Sequence, residues 1–209
     1  MNQDPTRTSG GDPVWLPEVA RQDRFTQGVE MDWVDLTERI VAASRISFSD
    51  LMDQRRRETF YAFILYTDGD CYTVLPSANS IEKHNEKMSR SSVSDTKERA
   101  GYQWSIGEWA YEAWKDDGFE EICQDLSVAC QSACEAGTFP EFRQQVHASM
   151  VKALALLDKE GFFGPARSEV VIFISSTDGD ECFDLENWSA RLLNPPEIHD
   201  EFLKRYAGD

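Results

Sequence analysis

The tetrapeptide Thr-Asp-Gly-Asp occurs twice, at 67–70 and 177–180. Each copy follows an apolar run (FYAFILY or VVIFISS), and a cysteine comes shortly after each, Cys71 and Cys182. Asp-x-Asp supplies two hard carboxylates two positions apart, the opening of a Ca2+ or Mg2+ loop. Such a loop also needs oxygen donors at further alternate positions and a distal glutamate. The first copy continues CYTVLP, which offers almost none; the second continues ECFDLE, which is richer in carboxylates. An enzyme of unassigned chemistry, metal-dependent through the second turn, is therefore one reading. The other fits both copies: Asp-Gly tolerates positive φ and turns the chain at the end of a strand. On that reading the two copies are one turn used twice, with no shared chemistry required.

Other reactive residue types form no recognisable constellation. His84, His147 and His199 are far apart and lack zinc-like spacing to other ligands. There is no G-x-S-x-G, G-x-G-x-x-G or G-x-x-x-x-G-K-[ST]. Cys130 and Cys134 share a helix face at i, i+4, where small apolar side chains pack. A cysteine nucleophile needs an adjacent base and an electropositive setting, which this chain does not present. No catalytic residue, metal ligand or cofactor is assigned.

The charge is more informative. A formal net charge of -17 repels nucleic-acid phosphates and anionic membranes and suits a basic protein partner. The densest acidic stretch around the second turn comprises Asp178, Asp180, Glu181, Asp184 and Glu186, with Trp188 as an aromatic anchor beside it. Asp116, Asp117, Glu120 and Glu121 form a second patch. These ten residues are the candidate partner-binding set.

The elements that must position them can be read from periodicity. Trp33, Leu36, Ile40 and Ala43 predict a helix from Asp32 towards Arg57. FYAFILY (60–66) predicts a strand, Asp68-Gly69 a hairpin, and CYTVLP a returning strand that ends at Pro76. Ser77 to Ser80 then cap a helix from Ile81, and SRSSVSD (89–95) is a polar loop. SIGE (105–108) reads as a capping box, with Trp109, Tyr111 and Trp114 on the helix behind it. Phe119, Ile122, Leu126 and Ala129 continue a helical stripe to Gly137. Pro140 opens another helix, with Phe142, Val146, Val151, Leu154 and Leu157 inward and Gly161 at its end. EVVIFIS (169–175) predicts a buried central strand. DLENWSARLL predicts a helix stopped by Asn194-Pro195-Pro196, and PEIHDEFLKRYA a last amphipathic one.

The 41% hydrophobic content supports a real core, and 209 residues suit one domain. Pro5, Gly10, Gly11, Pro13 and Pro17 make residues 1–31 an N-terminal arm ahead of a single domain over 32–209. The expected fold is α+β (or α/β), one small central sheet packed with several helices. No stretch approaches a membrane span, and the first residues lack the apolar core of a secretion signal. The odd number of cysteines, without a CxxC pair, favours reduced thiols and a cytoplasmic location.

Three segments together resemble a bacterial domain family of unknown function. They are FYAFILYTDGDCYTVLPSANS, YQWSIGEWAYE and VVIFISSTDGDECFDLENWSARLLNP. The family reads F-Y-A-F-x-L-Y, then W-x-x-x-E-W, then S-x-x-x-L-N-P. The matching positions are Phe60, Tyr61, Phe63, Tyr66, Asn79, Trp104, Glu108, Trp109, Ser189, Leu193, Asn194 and Pro195, and the resemblance spans roughly 32–196. Members look like neighbours of toxin genes in interbacterial conflict systems. The resemblance therefore implies an immunity protein that binds and neutralises a cognate, basic toxin, with no nucleic-acid or membrane partner. It supplies no reaction.

Overall fold

The structure is a computed structural model, and it describes residues 31–92, 95–179 and 182–206. Most of the N-terminal arm, part of the 89–95 loop, and Asp180 and Glu181 of the candidate set lie outside the described residues.

Among the described residues the first element is helix α1 (Trp33–Gln54). Its N-cap is Asp32, whose Oδ1 accepts from the amides of Val34 and Asp35 at 2.9 and 3.1 Å. Strands β1 (Phe60–Thr67) and β2 (Leu75–Ser80) follow, then helices α2 (Ile81–Arg90) and α3 (Thr96–Trp104) and the two-residue strand β3 (Tyr111–Glu112). Helices α4 (Glu120–Ala136) and α5 (Phe139–Lys159) lead to strand β4 (Val171–Ser176) and helices α6 (Cys182–Leu193) and α7 (Pro196–Leu203). The sheet order is β3-β2-β1-β4, with β1 antiparallel to β2 and parallel to β4. This is an α+β domain with one small mixed sheet. Among the described residues no helix is long and apolar enough to cross a membrane.

Strand periodicity divides the core. Phe63, Leu65, Ile172 and Ile174 face one side of the sheet with Leu36, Ile40, Phe48, Leu126, Val146 and Leu154 of α1, α4 and α5. Ala62, Ile64, Tyr66, Val171 and Phe173 face the other, against Ile106, Trp109, Ala190 and Phe202. Gly137 and Gly161 have φ of +71° and +74° where α4 and α5 end, the conformation that a left-handed helix stop requires.

Four expectations are corrected. The returning strand is LPSANS rather than CYTVLP: its register runs from Leu75 opposite Tyr66 to Ser80 opposite Phe60, while 71–74 belong to the connection. Pro76 is tolerated because β3 covers only Ser77 and Ala78, so no ladder bond on that side needs its missing N–H. SIGE is no capping box. Ser105 ends α3, which lies upstream of it, and makes no side-chain cap bond to the short 3-10 turn at 106–108; Glu108 pairs with Lys87 instead. Trp109, Tyr111 and Trp114 therefore belong to an irregular segment and β3 rather than to a helix. Finally, β4 is the edge strand, not a central one, although its side chains from Val171 to Ser175 are buried.

Helix α6 accounts for that burial. The outward backbone groups of β4 meet side chains in place of a fifth strand. Asn194 accepts from the Ile172 amide at 2.9 Å and donates to the Ile172 carbonyl at 2.6 Å. Ser189 Oγ accepts from the Ile174 amide at 3.0 Å. The ladder groups that an edge would leave bare are thereby satisfied.

Candidate functional site

The parallel pairing of β1 with β4 brings the two TDGD segments together. The register sets Thr67 beside Ser176, and the Thr177 amide donates to the Thr67 carbonyl at 2.9 Å. Both segments leave the same end of the sheet. They are so close that a Cβ on Gly69 would lie 3.0 Å from Asp178 Oδ2 and 3.2 Å from its Cβ. A side chain at 69 would therefore crowd Asp178, which would have to give way by a few tenths of an ångström.

The segments are not the same turn. In the first, Asp68 Oδ1 accepts from the amides of Asp70 and Tyr72 at 3.0 and 3.1 Å, and Oδ2 accepts from Thr73 Oγ1 at 2.6 Å. This aspartate organises a long connection between β1 and β2, in which Cys71 adopts a left-handed φ of +57°. In the second, the Asp178 amide donates to Ser176 Oγ at 3.1 Å, and the chain proceeds into α6. The two-residue hairpin expected at Asp68-Gly69 is absent, and the reading of one turn used twice is corrected.

Where the two segments meet, the N-terminal half of α5 and the outer face of α6 enclose an open cleft of about 580 Å3. Asp68, Gly69, Ser176 and Asp178 line one end; Pro140, Arg143, Gln144 and His147 come from α5, and Asp184, Leu185 and Trp188 from α6. Arg143 lies 5.8 Å from the Phe139 ring centre, and neither it nor Asp178 is without a polar or ring partner. Burial, with a smaller effect of Arg143, pushes the His147 imidazole down to about 4. Its Nε2 lies 3.7 Å from Cys71 Sγ, and burial pushes that thiol up to about 12. At neutral pH this contact joins an uncharged imidazole to a protonated thiol, which is unsuited to nucleophilic attack. Among the described residues no group of three or more His, Cys, Asp or Glu side chains could hold a metal ion.

The structure sorts the candidate residues. Asp178, Asp184 and Trp188 are exposed and line the cleft; Trp188 keeps 45% of its surface in solvent. Glu186 does not belong with them. It lies inside, 5% exposed, accepting from Ser175 Oγ at 2.6 Å and from the buried Arg205 at 2.9 Å. The helical period is the reason, since a position two residues from both Asp184 and Trp188 turns to the opposite face. Burial raises the Glu186 carboxyl above its ordinary range, against the opposing pull of Ser175 and Arg205. Asp117, Glu120 and Glu121 are exposed and Asp116 half-buried, all at the N-terminal end of α4, where negative charge suits the helix dipole. They do not line the cleft. Sequence reasoning missed Asp68, Gly69, Arg143, Gln144 and His147. The one available signal was that two strands ending in the same tetrapeptide would bring their ends together if paired in parallel.

The family model described as a domain of unknown function, DUF4303, matches residues 40–195. The chain belongs to that family. No curated protein and no solved structure matches it. The DUF4303 residues noted in the sequence act as fasteners. Tyr61 receives a hydrogen bond from Asn79 Nδ2 at 2.9 Å and donates to the Gln103 carbonyl at 2.7 Å, which also accepts from Trp109 Nε1. Trp104 packs edge-on against Tyr61 and Phe202. Ser189 and Asn194 seal β4, as described above. These motifs hold the domain together around the cleft and do not line it.

Proposed function

We propose that this DUF4303 protein is an immunity protein, binding and neutralising a cognate bacterial toxin whose contact surface is basic. The observation that carries the reading is the open cleft, where Asp178 and Asp184 stand beside the exposed Trp188 on a chain of net charge -17. Exposed aromatic residues within a charged rim are the usual anchors of protein interfaces. A strong opposite field speeds encounter with a basic partner. The five free cysteines agree with a reducing cytoplasm, where such a toxin would have to be met.

The test is kinetic. Association of the purified protein with a candidate basic toxin domain is measured at low and high salt. Asp184→Lys is expected to slow association and flatten its salt dependence, because rim charges act chiefly on the on-rate. Glu121→Lys reports on the α4 patch in the same way. If neither variant changes the rate or its salt dependence, the acidic surface serves solubility alone. If no complex forms with the unaltered protein, the neutralisation reading fails.

A further inference from the structure

We propose that the cleft recognises an arginine side chain of the partner, held between the Asp184 carboxylate and the Trp188 indole. This rests on the reading above that the cleft meets a basic protein. Asp184 and Trp188 are four residues apart on α6, so they are neighbours on one helix face. Both are exposed and both line the cleft. A carboxylate next to an exposed indole favours a planar cation: guanidinium offers a fork of donors to the carboxylate and a weakly hydrated face to the ring. Lysine, compact and strongly hydrated, uses the ring less well. One turn further on, Leu192 is 56% exposed and continues the ridge, providing an apolar contact for a residue flanking the arginine.

The surroundings favour a cation over an anion. Asp68 and Asp178, each with a partner of its own, still add negative charge across the cleft, and His147 is neutral at physiological pH. Arg143, the one lysine or arginine that lines the cleft among the described residues, already has partners. The opposite face of the same helix holds a guanidinium by this very combination. Arg205 donates to Glu186 and lies 3.9 Å from the Phe202 ring centre and 4.6 Å from that of Phe183. The inner face of α6 thus fixes an arginine of its own chain, and the outer face repeats the carboxylate-and-ring pairing without an occupant from the described residues.

The probe is N-acetyl-arginine amide, titrated into the full chain and followed by 1H–15N NMR. N-acetyl-citrulline amide, the uncharged near-isostere, and N-acetyl-lysine amide are run alongside. The arginine probe should shift the Trp188 indole N–H, assigned by its loss in Trp188→Phe, together with the backbone amides of 184–188. Citrulline should shift neither. Asp184→Asn should weaken the arginine response by about tenfold, the scale of one charge-assisted hydrogen bond. Four results would overturn the inference: no shift up to the solubility limit of the probe, an equal response to citrulline or to lysine, shifts spread evenly over both acidic patches, or indifference to Asp184→Asn in a variant whose spectrum is otherwise native. The two proposals fail separately. A toxin domain bound at full strength by the Asp184→Asn, Trp188→Ala variant removes the arginine contact and leaves neutralisation standing. An intact arginine response in a protein that binds no basic toxin domain does the reverse.

Discussion

Replacing Asn194 by alanine tests how the open side of β4 is held. The side chain serves both outward backbone groups of Ile172, accepting from the amide at 2.9 Å and donating to the carbonyl at 2.6 Å. It also donates to the Ala190 carbonyl at 2.8 Å, close to where α6 ends. Alanine leaves one donor and one acceptor of a fully buried residue without partners. Each such group costs about 1–3 kcal/mol. Asn194 is itself half-buried, so water relieves part of the loss, and a net destabilisation of about 3 kcal/mol is expected. For a domain of this size that corresponds to a fall in melting temperature of roughly 6–12 °C. Chemical denaturation gives the free energy, and native-state hydrogen exchange at the Ile172 amide reports the site directly. A loss below about 1 kcal/mol, with Ile172 protection unchanged, would refute the view that this side chain replaces a strand.

Three further outcomes are expected. Gly69→Ala forces a Cβ to within 3.0 Å of Asp178 Oδ2; a loss of about 1–2 kcal/mol and amide shifts in both TDGD segments should follow, and shifts confined to the first would deny the contact. His147→Gln should flatten the acid side of the stability curve: the unfolded chain takes up a proton near 6.5 that the native imidazole refuses until about 4. Stability therefore falls as pH drops through that window, by at most about 3 kcal/mol for this group, and equal pH slopes for both proteins would contradict a buried neutral imidazole. Ser105→Ala should be silent in thermal melts, within about 0.5 kcal/mol, since Ser105 makes no cap bond; a larger loss would revive the capping box.

The long regular elements were legible because their apolar spacing repeats many times. The stripes of α1, α4 and α5 are nearly pure 3.6-residue patterns, and the unbroken apolar run of β1 leaves little ambiguity. Where tertiary contacts override local preference, reading failed. LPSANS is a poor strand by composition, yet Asn79 is pinned by Tyr61 and the segment is buried between β1 and β3. SIGE satisfies a capping pattern, but Glu108 is taken by Lys87 from another helix. The position of β4 was illegible for a related reason: an unbroken apolar run reports burial on both faces, and says nothing about whether the next hydrogen-bonding partner is a strand or an asparagine. The cleft was half visible. Its α6 residues, Asp184 and Trp188, stood out by type, while Asp68, Gly69 and His147 are joined to them only by strand order.

The sealed side of β4 also limits how this protein can be approached. A bare edge is the usual place for a foreign strand to add itself, whether a partner's peptide or another copy of the same chain. Here the docking positions at Ile172 and Ile174 are already occupied by Asn194 and Ser189. At the far side of the sheet, β3 offers only Tyr111 and Glu112, too short a template to nucleate strand addition. Among the described residues the sheet thus leaves little edge for strand addition, so contacts at these two margins would be made by side chains rather than by main-chain pairing.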